Sequence, residues 1–183
     1  MKRRQFLKAP IIGCATIGIG GALWLNDDAD KSRLTIDAVL AKIDVLSKQP
    51  LTVTGAWSLN QVFDHCAQSV EYSMTGFPEH KSAAFKNTLG KLAFAAFSVK
   101  GQMTHALDEA IPGAPMIDTL EINTLESTLS INEQAFARLK KSLYEFQRYQ
   151  GELAPHFAYG ALSKTDYELA HAMHFYDHLA EIT

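Results

Sequence analysis

The feature that most constrains the fold is the C-terminal stretch, residues 163–181, which contains neither glycine nor proline and carries three of the chain's seven histidines. At about 100° per residue, a helix over this stretch places His171, His174 and His178 on one face. Imidazoles separated by four residues can bind the same divalent cation. The stretch therefore predicts a helix whose histidine face needs a further ligand from elsewhere in the chain.

The remaining sequence also favours helices. Apolar residues recur at helical spacing over residues 33–48, 58–75, 82–100 and 125–150. No internal repeat, low-complexity tract or convincing alternating strand pattern is present. A chain of 183 residues that is 47% hydrophobic can bury one sizeable core. The sequence predicts an all-α domain over residues 33–183, with residues 79–124 as a long connection between its second and third main helices.

Helix boundaries are marked by capping patterns. Ser58 with Gln61, and Ser163 with Asp166, are N-terminal capping pairs. Ser130 followed by a glutamate three residues later offers the third main helix a later start than residue 125. The helical spacing in the connection rests on five apolar residues: Phe85, Leu89, Leu92, Ala96 and Val99.

A third histidine suited to a metal site lies on the second helix. His65 falls within about 60° of Val62 on the inward stripe of that helix, so its ring should point into the protein. Together with His174 and His178 it forms a predicted three-histidine site. The alternative is that these rings only pack and form hydrogen bonds.

Other histidines and a nearby acid receive weaker assignments. His171 and Glu181 are candidates for groups that contact the ligands, although packing and solvation are the alternatives for them. His80 and His105 fall in the long connection, where we expect no chemical role.

The N-terminal segment resembles an export signal. The run from Arg3 and Arg4 through Gln-Phe-Leu-Lys resembles the twin-arginine motif, and an apolar, glycine-rich run follows over residues 9–25. This resemblance implies a signal or inner-membrane anchor over residues 1–25, a linker over residues 26–32, the twin-arginine translocase as a partner and a periplasmic location. Cleavage and retention as an anchor both stay open. The net charge of −3 and the two cysteines favour neither nucleic-acid binding nor a disulfide framework.

Four segments together resemble a known family. They are residues 57–65, residues 69–78, the loop at residues 156–163 and the helix at residues 174–182. In these motifs the chain resembles the DinB-like superfamily and, more narrowly, its DUF1569 branch. The resemblance implies a four-helix bundle with a long crossover, and metal ligands at His65, His174 and His178. Among the departures of the chain from the family pattern, Phe157 stands for proline, Asp177 for histidine and Glu181 for glutamine.

A three-histidine site has a definite chemical meaning. Three neutral imidazoles leave a coordination position open, and zinc or nickel suits such a nitrogen-rich site. The resemblance implies a metal-dependent hydrolase or thiol transferase that activates water or a thiol towards a small molecule. The alternative is a non-catalytic periplasmic binding or accessory protein. The sequence names no substrate, and both a monomer and a homodimer are compatible with it.

Overall fold

The computed structural model describes residues 31–115 and 129–183. The predicted export segment with Arg3 and Arg4, most of the linker, and residues 125–128 of the predicted third main helix lie outside the described residues. Within those two ranges the protein is helical and forms no β-strand. The main helices are α1 (Ile36–Leu46), α2 (Leu59–Thr75), α3 (Lys91–Lys100), α4 (Ile131–Arg148) and α5 (Lys164–Leu179).

Side-chain caps begin the helices where the sequence predicts them. The backbone N–H of Ser58 donates to Gln61 Oε1 at 2.9 Å before α2, and the N–H of Asp166 donates to Ser163 Oγ at 3.1 Å in α5. In α4 the N–H of Glu133 donates to Ser130 Oγ at 3.3 Å. Helix α4 therefore begins at Ile131, the later of its two predicted starts.

The helices pack around one apolar core. Helix α2 lies against α4 and α5, and α1 also contacts both α4 and α5. The stripe predicted for α4 is buried: Phe136, Leu139, Leu143 and Phe146. Arg138 links α4 to α2 through ion pairs to Asp64 at 3.0 Å and Glu71 at 2.8 Å. This packing fixes the polar inner face of α2 opposite α5.

The segment that leads into α3, residues 83–90, is not a regular α-helix. A short turn, Ala83–Phe85, leads into a π-helix, Lys86–Gly90, which continues into α3. Gly90 packs so closely on the loop after α4 that a Cβ there would clash with the carbonyl oxygen of Ala158. The predicted apolar spacing does occur on a helical segment, but Leu89, Leu92 and Val99 are exposed.

The chain beyond α5 returns to the loop before α2. Thr52 and Thr183 exchange backbone hydrogen bonds of 2.8 and 2.9 Å, and the N–H of Thr54 donates to the carbonyl of Glu181 at 2.9 Å. These bonds hold the end of α5 beside the start of α2. Within the described ranges, no helix is both long and apolar enough to cross a membrane.

Candidate metal centre

Four histidine rings converge between α2, α5 and the connection after α3. Nε2 of His174 lies 3.1 Å from Nε2 of His65 and 3.1 Å from Nε2 of His178. Nε2 of His105 lies 3.2 Å from Nε2 of His178. One ligand nitrogen from each of the four rings lies within 4.8 Å of the other three, so the group could hold one metal ion. The three histidines predicted from the sequence are therefore brought together.

The fourth ring, His105, was missed by the sequence analysis, which assigned it no role. Its Nδ1 lies 2.7 Å from Asp177 Oδ2, and its backbone N–H donates to the same oxygen at 3.2 Å. Because a carboxylate only accepts, Nδ1 of His105 carries the proton and Nε2 keeps its lone pair towards the other rings. Asp177, where the family pattern has histidine, thus orients a ring from another segment.

Separate hydrogen bonds account for only part of this cluster. Nε2 of His174 faces two other Nε2 atoms, each 3.1 Å away. A neutral imidazole nitrogen carries either one proton or one lone pair, so two contacts of this kind must share it. A cation bound by all the Nε2 lone pairs removes the conflict. The nitrogen separations also fit bonds of about 2.1 Å, which put neighbouring ligands about 3.0–3.4 Å apart.

The rings are in the protonation state that metal binding needs. Burial, and to a lesser extent the neighbouring His105, lowers the pKa of His65 to about 4. Burial, with smaller effects of His65 and His105, lowers the pKa of His178 to about 2. Burial also holds the pKa of His174 well below its ordinary value. These imidazoles are therefore neutral at pH 7, with lone pairs available for a metal.

The four rings are not arranged as a regular tetrahedron. Five of the six distances between ring centroids are 4.8–4.9 Å, whereas the centroids of His65 and His105 are 6.5 Å apart. Four ligands at the corners of a regular tetrahedron would be equally spaced. His65 and His105 instead lie on opposite sides of the cluster, and both residues line the cavity that opens on it.

A cavity of about 280 Å³ opens on this cluster. His65, His105 and His174 line it, and His178 does not. Much of its wall is apolar and comes from the turn at Ala83–Phe85, helix α3, the connection after α3 and the loop after α4: Phe85, Phe97, Met103, Ile111, Phe157 and Tyr159. On another side, the Trp57 ring contacts His65 edge-on at 4.9 Å and stacks parallel to His178 at 6.0 Å.

The other sequence candidates lie around the cluster. Nε2 of His171 is 3.3 Å from Ser73 Oγ, and its ring packs edge-on against Phe146 at 5.0 Å. The carboxylate of Glu181 lies against the backbone of Gly55. Nδ1 of His178 has no hydrogen-bond partner, so Glu181 does not orient that ring here.

The loop after α4 presents a further buried histidine to the cavity. Nδ1 of His156 accepts hydrogen bonds from the backbone N–H groups of Ala158 at 3.1 Å and Tyr159 at 3.2 Å. His156 and Gly160 also exchange backbone bonds of 2.8 and 3.1 Å. This tight turn needs the positive φ of 78° at Gly160, which glycine adopts without strain.

Comparison with known proteins gives one match. A family model described as "Protein of unknown function (DUF1569)" matches residues 28–183. No curated protein matches the chain, and no solved structure matches it. The match covers all four histidines of the cluster and most of the chain.

Proposed function

The chain belongs to the DUF1569 family, and from its histidine cluster we propose that it is a metal-dependent enzyme that acts on a small molecule. His65, His105, His174 and His178 hold one divalent cation, and zinc or nickel suits four imidazoles best. The observation that carries this proposal is the double contact of His174 Nε2, which a cation satisfies fully and hydrogen bonding only by sharing one proton or lone pair. We assign the helices to a four-helix bundle of the DinB-like type.

A bound cation of this kind supplies Lewis acidity, which lowers the pKa of a water or thiol bound to it. The chain's own residues do the rest. Asp177 holds His105 in the tautomer that turns Nε2 inwards. The apolar wall of the cavity limits access of bulk water to the open side of the cluster and strengthens electrostatic interactions there. Cys66 is buried and does not line the cavity, so a reacting thiol would come from a substrate.

One observation favours a different function. Four protein ligands are typical of structural metal sites, whereas catalytic sites usually have three and an open position. A non-catalytic periplasmic binding or accessory protein would use such a closed site. We favour catalysis because three of the four rings line a cavity, and because His65 and His105 are spread apart beside it.

Metal analysis of the protein purified without a histidine tag tests the proposal. We expect about one zinc or nickel ion per chain, and tight rebinding of zinc after chelation in isothermal titration calorimetry. A chain that contains no metal and takes up neither zinc nor nickel would end the proposal. A metal-loaded chain that cannot exchange a bound water for azide or thiocyanate, monitored by cobalt(II) spectra, would favour the structural alternative.

We also propose that the protein is exported in folded form by the twin-arginine translocase. The support is the motif at Arg3 and Arg4 and the apolar run that follows. Replacing both arginines by lysine should leave the protein in the cytoplasm, as shown by cell fractionation. Unchanged export of this double variant would contradict the proposal.

A further inference from the structure

His156 is a buried histidine whose two ring nitrogens have different surroundings. Its side chain belongs to a residue only 8% exposed, and its Nδ1 accepts two backbone N–H groups. An imidazole nitrogen that accepts hydrogen bonds carries no proton, so the neutral ring must carry its proton on Nε2. Burial, with smaller effects of His171 and His80, lowers the pKa of His156 to about 3, which keeps the ring neutral.

His156 lines the cavity, and its Nε2–H group is the donor that remains for a ligand there. No described residue forms a hydrogen bond with it, and the fully enclosed, unpaired nitrogens of the described side chains are Nδ1 of His65 and Nδ1 of His178. Nε2 of His156 is not one of these enclosed nitrogens, and the residue lines the cavity that opens on the histidine cluster. A buried donor without a partner is costly unless something in the cavity accepts its proton.

The ring is also held rigidly. It stacks on Tyr159 with centroids 4.3 Å apart and planes 9° apart, and it lies 4.5 Å from the ring of Phe157. The carbonyl of Phe157 in turn accepts the backbone N–H of Lys81 at 2.9 Å. A donor fixed in this way can select the orientation of a ligand, because little side-chain entropy is lost on binding.

We propose that His156 positions the ligand of this cavity by donating its Nε2–H to a carbonyl or carboxylate oxygen carried on a small apolar body. The inference rests on the proposed function in one respect: the cavity is the ligand-binding site because it opens on the proposed metal centre. The apolar body follows from the wall, where Phe85, Phe97 and Met103 face the space. The volume of about 280 Å³ lies near the lower end for small-molecule pockets.

A matched pair of variants separates the donor from the loop. In His156→Asn the amide oxygen can take the place of Nδ1 and hold the N–H groups of Ala158 and Tyr159, but the distal donor is lost. In His156→Gln the amide nitrogen can reach the position of Nε2, but the acceptor for the loop is lost. Urea unfolding of both variants reports the state of the fold.

Three probes complete the experiment: phenylacetate, phenylacetamide and ethylbenzene, which share an aromatic body and differ in the oxygen acceptor. Binding to zinc-loaded and chelated protein is measured by ligand-observed NMR. We expect His156→Asn to weaken binding of the probes with an oxygen by about five- to tenfold, the effect of one hydrogen bond. Binding of ethylbenzene should be unchanged, and the preferred oxygen probe tells whether the acceptor is charged or neutral.

Failure of this proposal is distinguishable from failure of the metal centre. Equal weakening of all three probes by His156→Asn, or no change with any, would overturn the role of His156 whatever the metal content. Failure of the wild type to take up either zinc or nickel would overturn the metal centre alone, since the probes can still be tested on chelated protein. If His156→Asn does not fold, nitrogen-15 spectra of the wild-type histidines decide: Nε2 protonated and shifted by phenylacetamide supports the proposal, and any other tautomer contradicts it.

Discussion

Two groups of buried histidines in the same protein have opposite surroundings. His156 and His171 each bond to an ordinary protein partner, the backbone of the loop after α4 in one case and Ser73 in the other. In the cluster, His65, His174 and His178 direct their nitrogens at one another. Burial lowers the pKa values in both groups, so burial and neutrality do not identify a metal site.

What separates the two groups is whether hydrogen bonds to the backbone or to a hydroxyl group hold the ring in place. A ring such as His156 has its donor and acceptor roles assigned by its neighbours, and it adds rigidity. In the cluster the Nε2 atoms make three contacts among four rings, so at least two of these contacts share a proton or a lone pair. We infer that convergence of unpaired nitrogens, rather than histidine count or burial, is the structural sign of metal binding in this protein.

The largest expected effect is the loss of zinc affinity when one ring of the cluster is removed, compared with removal of one ring of the hydrogen-bonded group. His174→Ala should lower zinc affinity by more than the roughly 100-fold that substitutions behind a ligand reach. His171→Ala should keep the metal, although the space left beside Phe146 should cost on the order of 2–4 kcal/mol of stability. Metal content and urea unfolding measure the two quantities. Equal metal loss in both variants would place His171 among the ligands and break the comparison.

Acid should act on the hydrogen-bonded group in a defined direction. The pKa of His156 is about 3 in the folded protein and near 6.5 when unfolded. Between these values the unfolded chain binds the extra proton, so stability falls as the pH drops below 6.5 and stops falling from this source near pH 3. His156→Asn removes the effect. From pH 7 to pH 5, metal-free wild type should lose about 2 kcal/mol more than this variant in urea unfolding.

If wild type and His156→Asn lose the same free energy of unfolding between pH 7 and pH 5, His156 does not titrate as its burial implies. The comparison is made on metal-free protein so that competition between protons and metal does not enter. The four rings of the cluster are present in both proteins, so their own titration cancels in the difference.

A smaller loss of zinc affinity should follow from changing Asp177, the carboxylate that contacts Nδ1 of His105. Asp177→Asn leaves an amide facing Nδ1 of His105, which weakens the hold on the metal-binding tautomer. Zinc affinity should fall about 10- to 100-fold, the usual range for a group behind a ligand. Glu145→Gln, on the exposed side of α4, makes the same change in charge and should leave affinity unchanged. Competition with a chromogenic chelator measures both, and equal losses would mean that only charge matters.

The helices and three of the four cluster residues could be predicted from the sequence because the signals are local. Capping pairs such as Ser58 with Gln61 lie three residues apart. Helical periodicity then fixes the direction of the side chain of His65, and the spacing of four residues puts His174 and His178 on one face. The start of α4 was also marked locally, by Ser130 with Glu133.

His105 could not be found in this way because it lies on a segment without regular structure, where no periodicity gives the direction of a side chain. Its position depends on a contact with Asp177, 72 residues further along the chain. The sequence did contain one signal: Asp177 stands where the family pattern has histidine, beside the predicted ligand His178. A carboxylate at that position indicates that a basic or hydrogen-bond-donating side chain lies beside it. The exposure of Leu89 and Leu92 was likewise not predicted from the apolar spacing, because Leu89 lies in a π-helix that leads into α3.

The position of Trp57 gives the protein an internal optical reporter. Its indole lies against two of the four rings, on His65 and His178, and the only other tryptophan is Trp24 in the N-terminal segment. A chain that starts after residue 30 therefore has a single tryptophan, in contact with the cluster. Binding of nickel, copper or cobalt there would quench its emission, whereas zinc would shift it without quenching, so occupancy and exchange could be timed by stopped-flow mixing with no added dye.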